Sequence, residues 1–412
     1  MRVLLSIGPG RLHFMPAAAA LKRQGIELTL LLGWKAPGWL VRRVPRLAAR
    51  MVPPELDCRS CAVAEMLGQA AVRGARLLHL PTDGIEALGW RGYGWASRRH
   101  IRDAAILHVR SGAGRGGAIR KARRLGMKVL ADHSIAHPAF LAEQVGGEFT
   151  ATSRFWRQTL QDCEEADLVL VNSDFVRETF VQHGFPSEKL RVAYLGVEPA
   201  YAGLRQVSAT ENRPLNLLFV GHFGHRKGAD ILLEAMRLLD AQGVKCGLDV
   251  VGSVAAGLPR PPSNVVFHGL LASDGVRRFL KQADILVFPT LAEGCARAVM
   301  EAMAAGVCVV TTAASGAPVT DGETGYLVPV RDAAALAGKI GWLDGNRPLI
   351  DAAGSAAAGL VARGYTWEAY AREVEAVYRE LLRPPSGCNE EGKNGELLRP
   401  PSGRNEEDTR GG

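Results

Sequence analysis

Two carboxylates stand eight positions apart in PTLAEGCARAVMEAMAAGVCVVTT, residues 289–312. Glu293 follows the apolar run ADILVFPT (283–290), and Glu301 sits in a helical pattern between Met300 and Ala302. An ionisable group on an apolar helix face costs several kcal/mol unless it is paired. An exposed i,i+4 pair with Arg297 is one partner for Glu301, worth about 0.3–0.5 kcal/mol; a ligand is the other. The helix is expected to begin near Ala296, just past Gly294, which leaves the amides of Cys295, Ala296 and Arg297 without intrahelical acceptors. Bare amides at the positive end of a helix dipole form a ready site for a diphosphate. Glu293, at the carboxyl end of its strand, is expected to project into the crevice that holds such an anion.

The elements that position these residues come in two series. VLLSIG (3–8), MPAAAALKRQG, ELTLLLG (27–33), ILHVRS (106–111), GGAIRKARRLG (116–126), MKVLADHS, ADLVLVNSD (166–174) and KLRVAYLGV (189–197) alternate strands with helices. EPAYAGLRQVSATENRP (198–214) loses that rhythm and reads as a linker. LNLLFVGHF (215–223), ADILLEAMRLLDAQG, LDVVGS, VVFHG, ADILVFPT, VCVVTT and GYLVPV then repeat the plan. Continuous apolar runs separated by helices predict parallel sheets covered on both faces. The expected fold class is α/β, with two Rossmann-like, doubly wound lobes facing a central cleft, the first at 1–205 and the second at 206–365. Ligands in such sheets lie beyond the carboxyl ends of the strands. That rule gathers the turn Gly8-Pro9-Gly10, Gly221–Lys227, Gly252 and Glu293 at one crevice, with Gly8 and Gly10 allowing close approach of the backbone to a ligand.

TWEAYAREVEAVYRELL, opened by Thr366 as a cap, predicts a terminal helix (366–383) that crosses back to the first lobe. Beyond it, ELLRPPSGCNEEGKNG (380–395) recurs as ELLRPPSGRNEED (396–408). The tail 384–412 cannot bury a core and is expected to be disordered.

The segment EGCARAVME resembles the E-x7-E signature of retaining glycosyltransferase family 4, together with FVGHFGHRKGADILLEAM, ADLVLVNSDFV, DGETGYLVP and TWEAYAREVEAVY. The resemblance covers most of residues 160–383. It implies the GT-B architecture and transfer of a sugar from a nucleotide diphosphate sugar to a hydroxyl of a lipid, glycan or small-molecule acceptor. The donor would sit in the second lobe and the acceptor in the first. Glu293 would then meet the donor sugar's hydroxyls and Glu301 the ribose diol, to which a carboxylate offers two acceptor oxygens. Lys227 of GHRKG matches the lysine that meets the departing diphosphate. His222 stands where the family usually has an arginine, and Arg226 is the residue able to compensate. His133 of LADHSIAHP matches a histidine beside the donor sugar, with His137 as its competitor. The loop SGAPVTDGETG lacks the acid that commonly follows Gly-x-Pro in the family. The implied chemistry is front-face substitution, in which the departing phosphate helps deprotonate the acceptor; the protein's main task is then electrostatic stabilisation of the leaving group. No metal and no cofactor are implied. A nucleotide-sugar epimerase, a sugar phosphorylase and a non-catalytic sugar-binding protein are the alternatives on the same architecture.

Bulk composition narrows the partners further. The chain has 412 residues, 47% of them hydrophobic, and a formal charge of +8, which suits anionic partners. WKAPGWLVRRVPRLAAR (34–50) sets two tryptophans among basic residues with no acid. It reads either as a peripheral contact with an anionic membrane face or as an ordinary basic surface. RGYGWASRRH (91–100) adds arginines and aromatics suited to stacking on a sugar ring. No apolar run approaches the ~20 residues of a membrane helix, and the N-terminus does not read as a signal peptide. Seven scattered cysteines suggest a reducing compartment. The expected location is therefore cytoplasmic, either free or peripheral on the inner face of the membrane. Cys58-Arg-Ser-Cys61 has zinc-like spacing without a second pair and reads as two free thiols. No nucleic-acid partner is expected, since no aromatic RNA-binding motif is evident.

Overall fold

The computed structural model describes residues 1–10, 13–44, 47, 50–146 and 153–383. The repeat tail at 384–412 and part of the basic 34–50 stretch lie outside the described residues. Seven strands form the first sheet: β1 (Arg2–Gly8), β2 (Glu27–Leu32), β3 (Asp57–Ser60), β4 (Ile106–Arg110), β5 (Lys128–His133), β6 (Leu168–Val171) and β7 (Leu190–Val192), in the order β3-β2-β1-β4-β5-β6-β7. The second sheet holds β8 (Leu215–Val220), β9 (Cys246–Val251), β10 (Val265–Gly269), β11 (Ile285–Phe288), β12 (Cys308–Thr311) and β13 (Tyr326–Leu327), in the order β10-β9-β8-β11-β12-β13. Strand neighbours pair in parallel throughout. The central strands are unbroken apolar runs because both faces are covered: β1 is buried after Arg2, and β11 and β12 along their whole length. Each sheet reverses its strand order at its first strand, and such a switch point opens a crevice at the carboxyl ends. Gly8 and Arg110 end the strands flanking one crevice; Val220 and Phe288 end those flanking the other.

The region between β2 and β4 was not assigned by periodicity, yet it forms β3 and two long helices, Ala62–Leu77 and Asp83–Ser97. Val63, Met66, Leu67, Leu88 and Trp95 on these helices are exposed. Val63, Met66 and Leu67 stand at i, i+3 and i+4, so the first of these helices turns an apolar stripe to solvent rather than to the core.

The chain passes between the lobes twice, side by side. Val197 bridges Thr366, and its amide donates to the Tyr365 carbonyl at 3.0 Å. Residues 198–205, expected to end the first lobe, instead run along the second: the amides of Gly203 and Arg205 donate to Ala304 and Ala305, each at 2.9 Å. Nor is 198–214 a free linker. Arg205 pairs with the fully buried Asp284 at 3.2 Å and with Asp351 at 2.7 Å, and Arg213 reaches Asp284 at 2.7 Å. The run loses its rhythm because its polar residues are fixed by ion pairs rather than by a repeating backbone. Thr366 caps the helix Trp367–Leu381 by accepting from the Ala369 amide at 3.1 Å. That helix buries Tyr370, Val374 and Tyr378 in the core of the first lobe, where the Tyr378 hydroxyl lies 2.6 Å from His108 Nδ1.

Candidate active site

Glu293 stands in the loop beyond β11. Its Oε1 accepts from Arg226 at 2.8 Å and pairs with the Lys227 ammonium at 3.2 Å. Both cations come from the turn His225–Lys227 beyond β8, the strand beside β11. Arg226 also donates to the Ala292 carbonyl at 2.8 Å, and the Leu291 amide donates back to the Arg226 carbonyl at 2.9 Å. The two loops are thus stitched together, and one carboxylate oxygen lies between two cations. The cluster carries net positive charge and has donors to spare for a further anion. His222, in contrast, is exposed and lies with Nδ1 2.8 Å from the Ser253 hydroxyl; it is not among Glu293's partners. Gly221 and Gly252 abut each other at neighbouring strand ends, where a Cβ on Gly252 would fall 1.7 Å from the Gly221 carbonyl.

The helix Arg297–Ala305 begins directly after Ala296. The Ala296 amide lacks an intrahelical acceptor, but it donates to the Ser315 carbonyl at 2.9 Å. It is therefore withdrawn from the set of bare amides that the sequence suggests. The amides of Arg297 and Ala298 find no acceptor among the described residues. Burial pushes the Cys295 thiol up to about 12, so this residue is a neutral packing group.

The loop before this helix touches the first lobe. Ser173 Oγ donates to the Gly294 carbonyl at 2.6 Å. A Cβ at Gly294 would lie 2.2 Å from the Ser134 carbonyl and 2.7 Å from Asn172 Nδ2. Ser134 follows β5, and Asn172 and Ser173 follow β6, so the carboxyl ends of the first sheet meet the loop carrying Glu293.

Glu301 lies one helical turn beyond Arg297 and accepts from its guanidinium at 2.9 Å. The i,i+4 pair forms, but asymmetrically: the arginine side chain is 56% exposed and the carboxylate only 14%. Burial raises the Glu301 pKa against the opposing effects of Arg297 and the Tyr201 hydroxyl.

His133 ends β5 and is 1% exposed, with Nδ1 2.9 Å from Ser111 Oγ and the Phe180 ring 5.0 Å away. Burial lowers its pKa to about 3, so the imidazole is neutral and enclosed within the first lobe. His137 is likewise occupied: it caps the helix Pro138–Val145 and stacks on His183 at 4.6 Å. Gly8 and Gly10 make close approaches to protein groups. A Cβ on Gly8 would meet the Trp90 ring at 2.5 Å, and one on Gly10 would meet Arg110 Nη1 at 2.4 Å.

Ser134, Asn172, Ser173 and Ser315 were not singled out from the sequence. The available signal was a small polar residue directly after an apolar strand, as in VLADHS and LVLVNSD. Among the described residues, no group of three or more His, Cys, Asp or Glu is arranged to hold a metal ion. Cys58 is half-buried and Cys61 buried, both as free thiols.

Two family models divide the chain between its lobes. Residues 13–201 match Glycosyltransferase Family 4, and residues 214–346 match Glycosyl transferases group 1. The putative colanic acid biosynthesis glycosyltransferase WcaL of Salmonella typhimurium is 33% identical over 190 residues, 42% of this chain and 47% of that protein. The amylovoran biosynthesis glycosyltransferase AmsK of Erwinia amylovora is 32% identical over 187 residues, 42% of this chain and 46% of that protein. The chain thus spans about half the length of the curated relatives it matches. Anabaena HepE, solved in complex with UDP and glucose, superposes with a TM-score of 0.60 at 16% identity, covering 92% of this chain and 100% of that one. The fold is GT-B: two parallel-sheet α/β lobes.

Proposed function

We propose, of a chain that carries a Glycosyltransferase Family 4 domain in its first lobe and a Glycosyl transferases group 1 domain in its second, that it is a retaining glycosyltransferase. The observation that carries this reading is the Glu293 carboxylate shared by Arg226 and Lys227 beside the start of the helix Arg297–Ala305. An arriving diphosphate offers more negative charge than one carboxylate. The two cations turn to it, joined by the amides of Arg297 and Ala298. Glu293 is then free to accept hydrogen bonds from the donor sugar, and Glu301 to accept them from the ribose diol. As the bond to the anomeric carbon breaks, Arg226 and Lys227 stabilise the departing diphosphate. A phosphate oxygen takes the acceptor hydroxyl's proton while the new C–O bond forms on the same face, and the anomeric configuration is kept. His222 supplies a hydrogen bond, and Arg226 the charge that an imidazole does not guarantee. His133, neutral throughout, positions the Ser134 segment behind the donor sugar. Two side-chain cations stand where other transferases use a divalent ion, so the reaction needs neither metal nor cofactor.

UDP is the first nucleotide to test, because HepE, similar in fold, is solved with it. The relatives named for colanic acid and amylovoran biosynthesis point to a glycan or lipid-linked glycan acceptor in polysaccharide synthesis. We read the enzyme as cytoplasmic, where nucleotide sugars are available, with its first lobe on an anionic membrane face. No described helix is long and apolar enough to cross a membrane. A peripheral contact is supported by a groove lined by Leu88, Trp95 and Leu125, which are 62%, 66% and 52% exposed, and by Arg91, Arg120 and Arg124. Exposed apolar tips among cations suit acidic headgroups. This surface lies on and beside the helix Asp83–Ser97, rather than in the 34–50 stretch, where Trp39 is the exposed tryptophan of a six-residue helix.

The test is a thermal-shift panel of UDP, GDP and ADP, followed by turnover of the matching nucleotide sugar with a glycan acceptor. One nucleotide is expected to stabilise the protein, and Lys227→Ala to remove most of that shift. No nucleotide stabilising the chain would sink the reading. Conversion of the nucleotide sugar without an acceptor would replace it with an epimerase.

A further inference from the structure

A second polar site lies at the carboxyl edge of the first sheet. β4 ends on Arg110, in register with Asp132 of β5. Asp132 is already engaged: His13 and His108 lie 3.6 Å from it, and Ser134 Oγ donates to it at 2.7 Å. The Arg110 guanidinium has no carboxylate and no hydrogen-bond acceptor among the described residues, and instead lies over the Trp90 indole at 4.8 Å. Trp90 is itself buried, with Phe155 packed edge-on at 5.5 Å. Only a residue without a Cβ leaves room for the guanidinium beside position 10. Burial brings Arg110 down to about 10, with Asp132 and Glu86 acting in the opposite direction. The result is a planar fork of donors, fixed by stacking and uncommitted.

Arg110 lines a cavity of about 430 Å³ together with Pro9, Gly10, Trp90, Glu86 and the exposed Arg73. That volume falls within the ~300–1,000 Å³ typical of small-molecule sites. Glu65, also in the wall, is occupied by Arg50 and Gln69, each at 2.6 Å. Among the described residues of the lining, Arg73, Arg76 and Arg110 are thus accompanied by Glu86 as the one carboxylate without a side-chain partner. The cavity opens at the ends of β1 and β4, beside the β5 end whose Ser134 touches Gly294.

We propose that this cavity is the acceptor subsite and that the Arg110 fork reads an oxyanion, a phosphate or a carboxylate, on the acceptor sugar. The inference rests on the glycosyltransferase reading for the word acceptor, and on Arg110 alone for the oxyanion. Trp90 acts as a positioning residue by holding the plane of the fork.

Glucose 1-phosphate and glucuronate separate the two sources of the anion, with glucose as the neutral control. Each is titrated calorimetrically into the full chain, with and without saturating UDP to fill the donor side. At least one acid is expected to bind roughly tenfold or more tighter than glucose. Arg110→Gln should remove that preference, and Arg110→Lys should retain part of it, because lysine keeps the charge but not the fork. UDP affinity should be unchanged in both variants. Equal binding of glucose and both acids to the unaltered chain overturns the proposal without any variant, and so does a preference that survives Arg110→Gln. UDP failing to bind while an Arg110-dependent preference remains would remove the donor reading and leave the oxyanion site standing.

Discussion

Ser173, at the carboxyl edge of the first sheet, donates a 2.6 Å hydrogen bond to the carbonyl of Gly294, in the loop that carries Glu293. The same hydroxyl caps its own helix by accepting from the Val176 amide at 3.2 Å. One side chain thus fixes the end of a helix in one lobe and the loop beside the candidate reacting centre in the other. At this point one side chain ties the two lobes together beside Glu293.

Gly294→Ala tests that coupling. A methyl group would overlap the Ser134 carbonyl, so the lobes must separate locally. We expect kcat/KM to fall roughly 100-fold, as misplacement by about an ångström does elsewhere, while nucleotide binding to the second lobe persists. Small-angle scattering should report a larger radius of gyration in the variant; an unchanged radius with unchanged activity would refute the coupling.

Glu293→Gln separates turnover from donor affinity. The amide leaves Arg226 and Lys227 without their anion, so nucleotide diphosphate should bind at least as tightly as before. Turnover should drop roughly 100- to 1,000-fold if the carboxylate's hydrogen bonds to the sugar matter in the transition state. Steady-state kinetics alongside calorimetry of UDP checks both halves; equal losses in affinity and turnover would return Glu293 to a structural role.

In its proposed role at the ribose diol, Glu301 should make nucleotide affinity depend on pH. Its folded pKa is raised by burial, and a carboxylate that accepts from a ribose diol must be ionised. Affinity is therefore full above that raised pKa and is lost as pH falls through it, sooner than for a carboxyl near the ordinary ~4.3. In the unliganded protein the sign is opposite: a raised acid pKa lowers folding stability as pH rises from the unfolded value through the folded one. Titration of UDP between about pH 7 and pH 4 should show the fall, and Glu301→Gln should flatten it. A pH-independent affinity would detach Glu301 from the nucleotide.

Membrane contact is checked by vesicle sedimentation. Binding to phosphatidylglycerol vesicles is expected, with weak binding to phosphatidylcholine and loss at high salt. Leu88→Ser with Trp95→Ser removes two exposed apolar side chains and should weaken partitioning by about two to four powers of ten, taking about 1.5–3 kcal/mol for each. Thermal unfolding should hardly move, because both side chains are mostly solvent-exposed in the free protein. Equal binding to both lipids would remove the electrostatic component of the proposal.

The α/β class, the succession of strands in the second lobe and the capped terminal helix were legible in the residues themselves. Apolar runs such as ILVF in β11 and CVVT in β12 are local signals, since a strand buried on both faces has no polar positions to interrupt it. The helices Ala62–Leu77 and Asp83–Ser97 were not assigned from the sequence; Val63, Met66 and Leu67 do keep a helical spacing, but the face they share is exposed rather than packed into the core. Glu293, Arg226 and Lys227 could be chosen as chemistry-bearing residues from their types and positions, but not as one cluster sharing a single oxygen.

Local order is written along the chain because hydrogen bonding and burial of neighbouring residues depend on short-range period, and this much the sequence determined alone. The tertiary structure decided what depends on meetings between distant segments. It enclosed His133, gave the Ala296 amide to Ser315, fixed residues 198–205 to the second lobe through Ala304 and Ala305, and left Arg110 stacked on Trp90 with no carboxylate partner among the described residues. None of these follows from spacing, because each is set by which loops two separate sheets bring to the same edge.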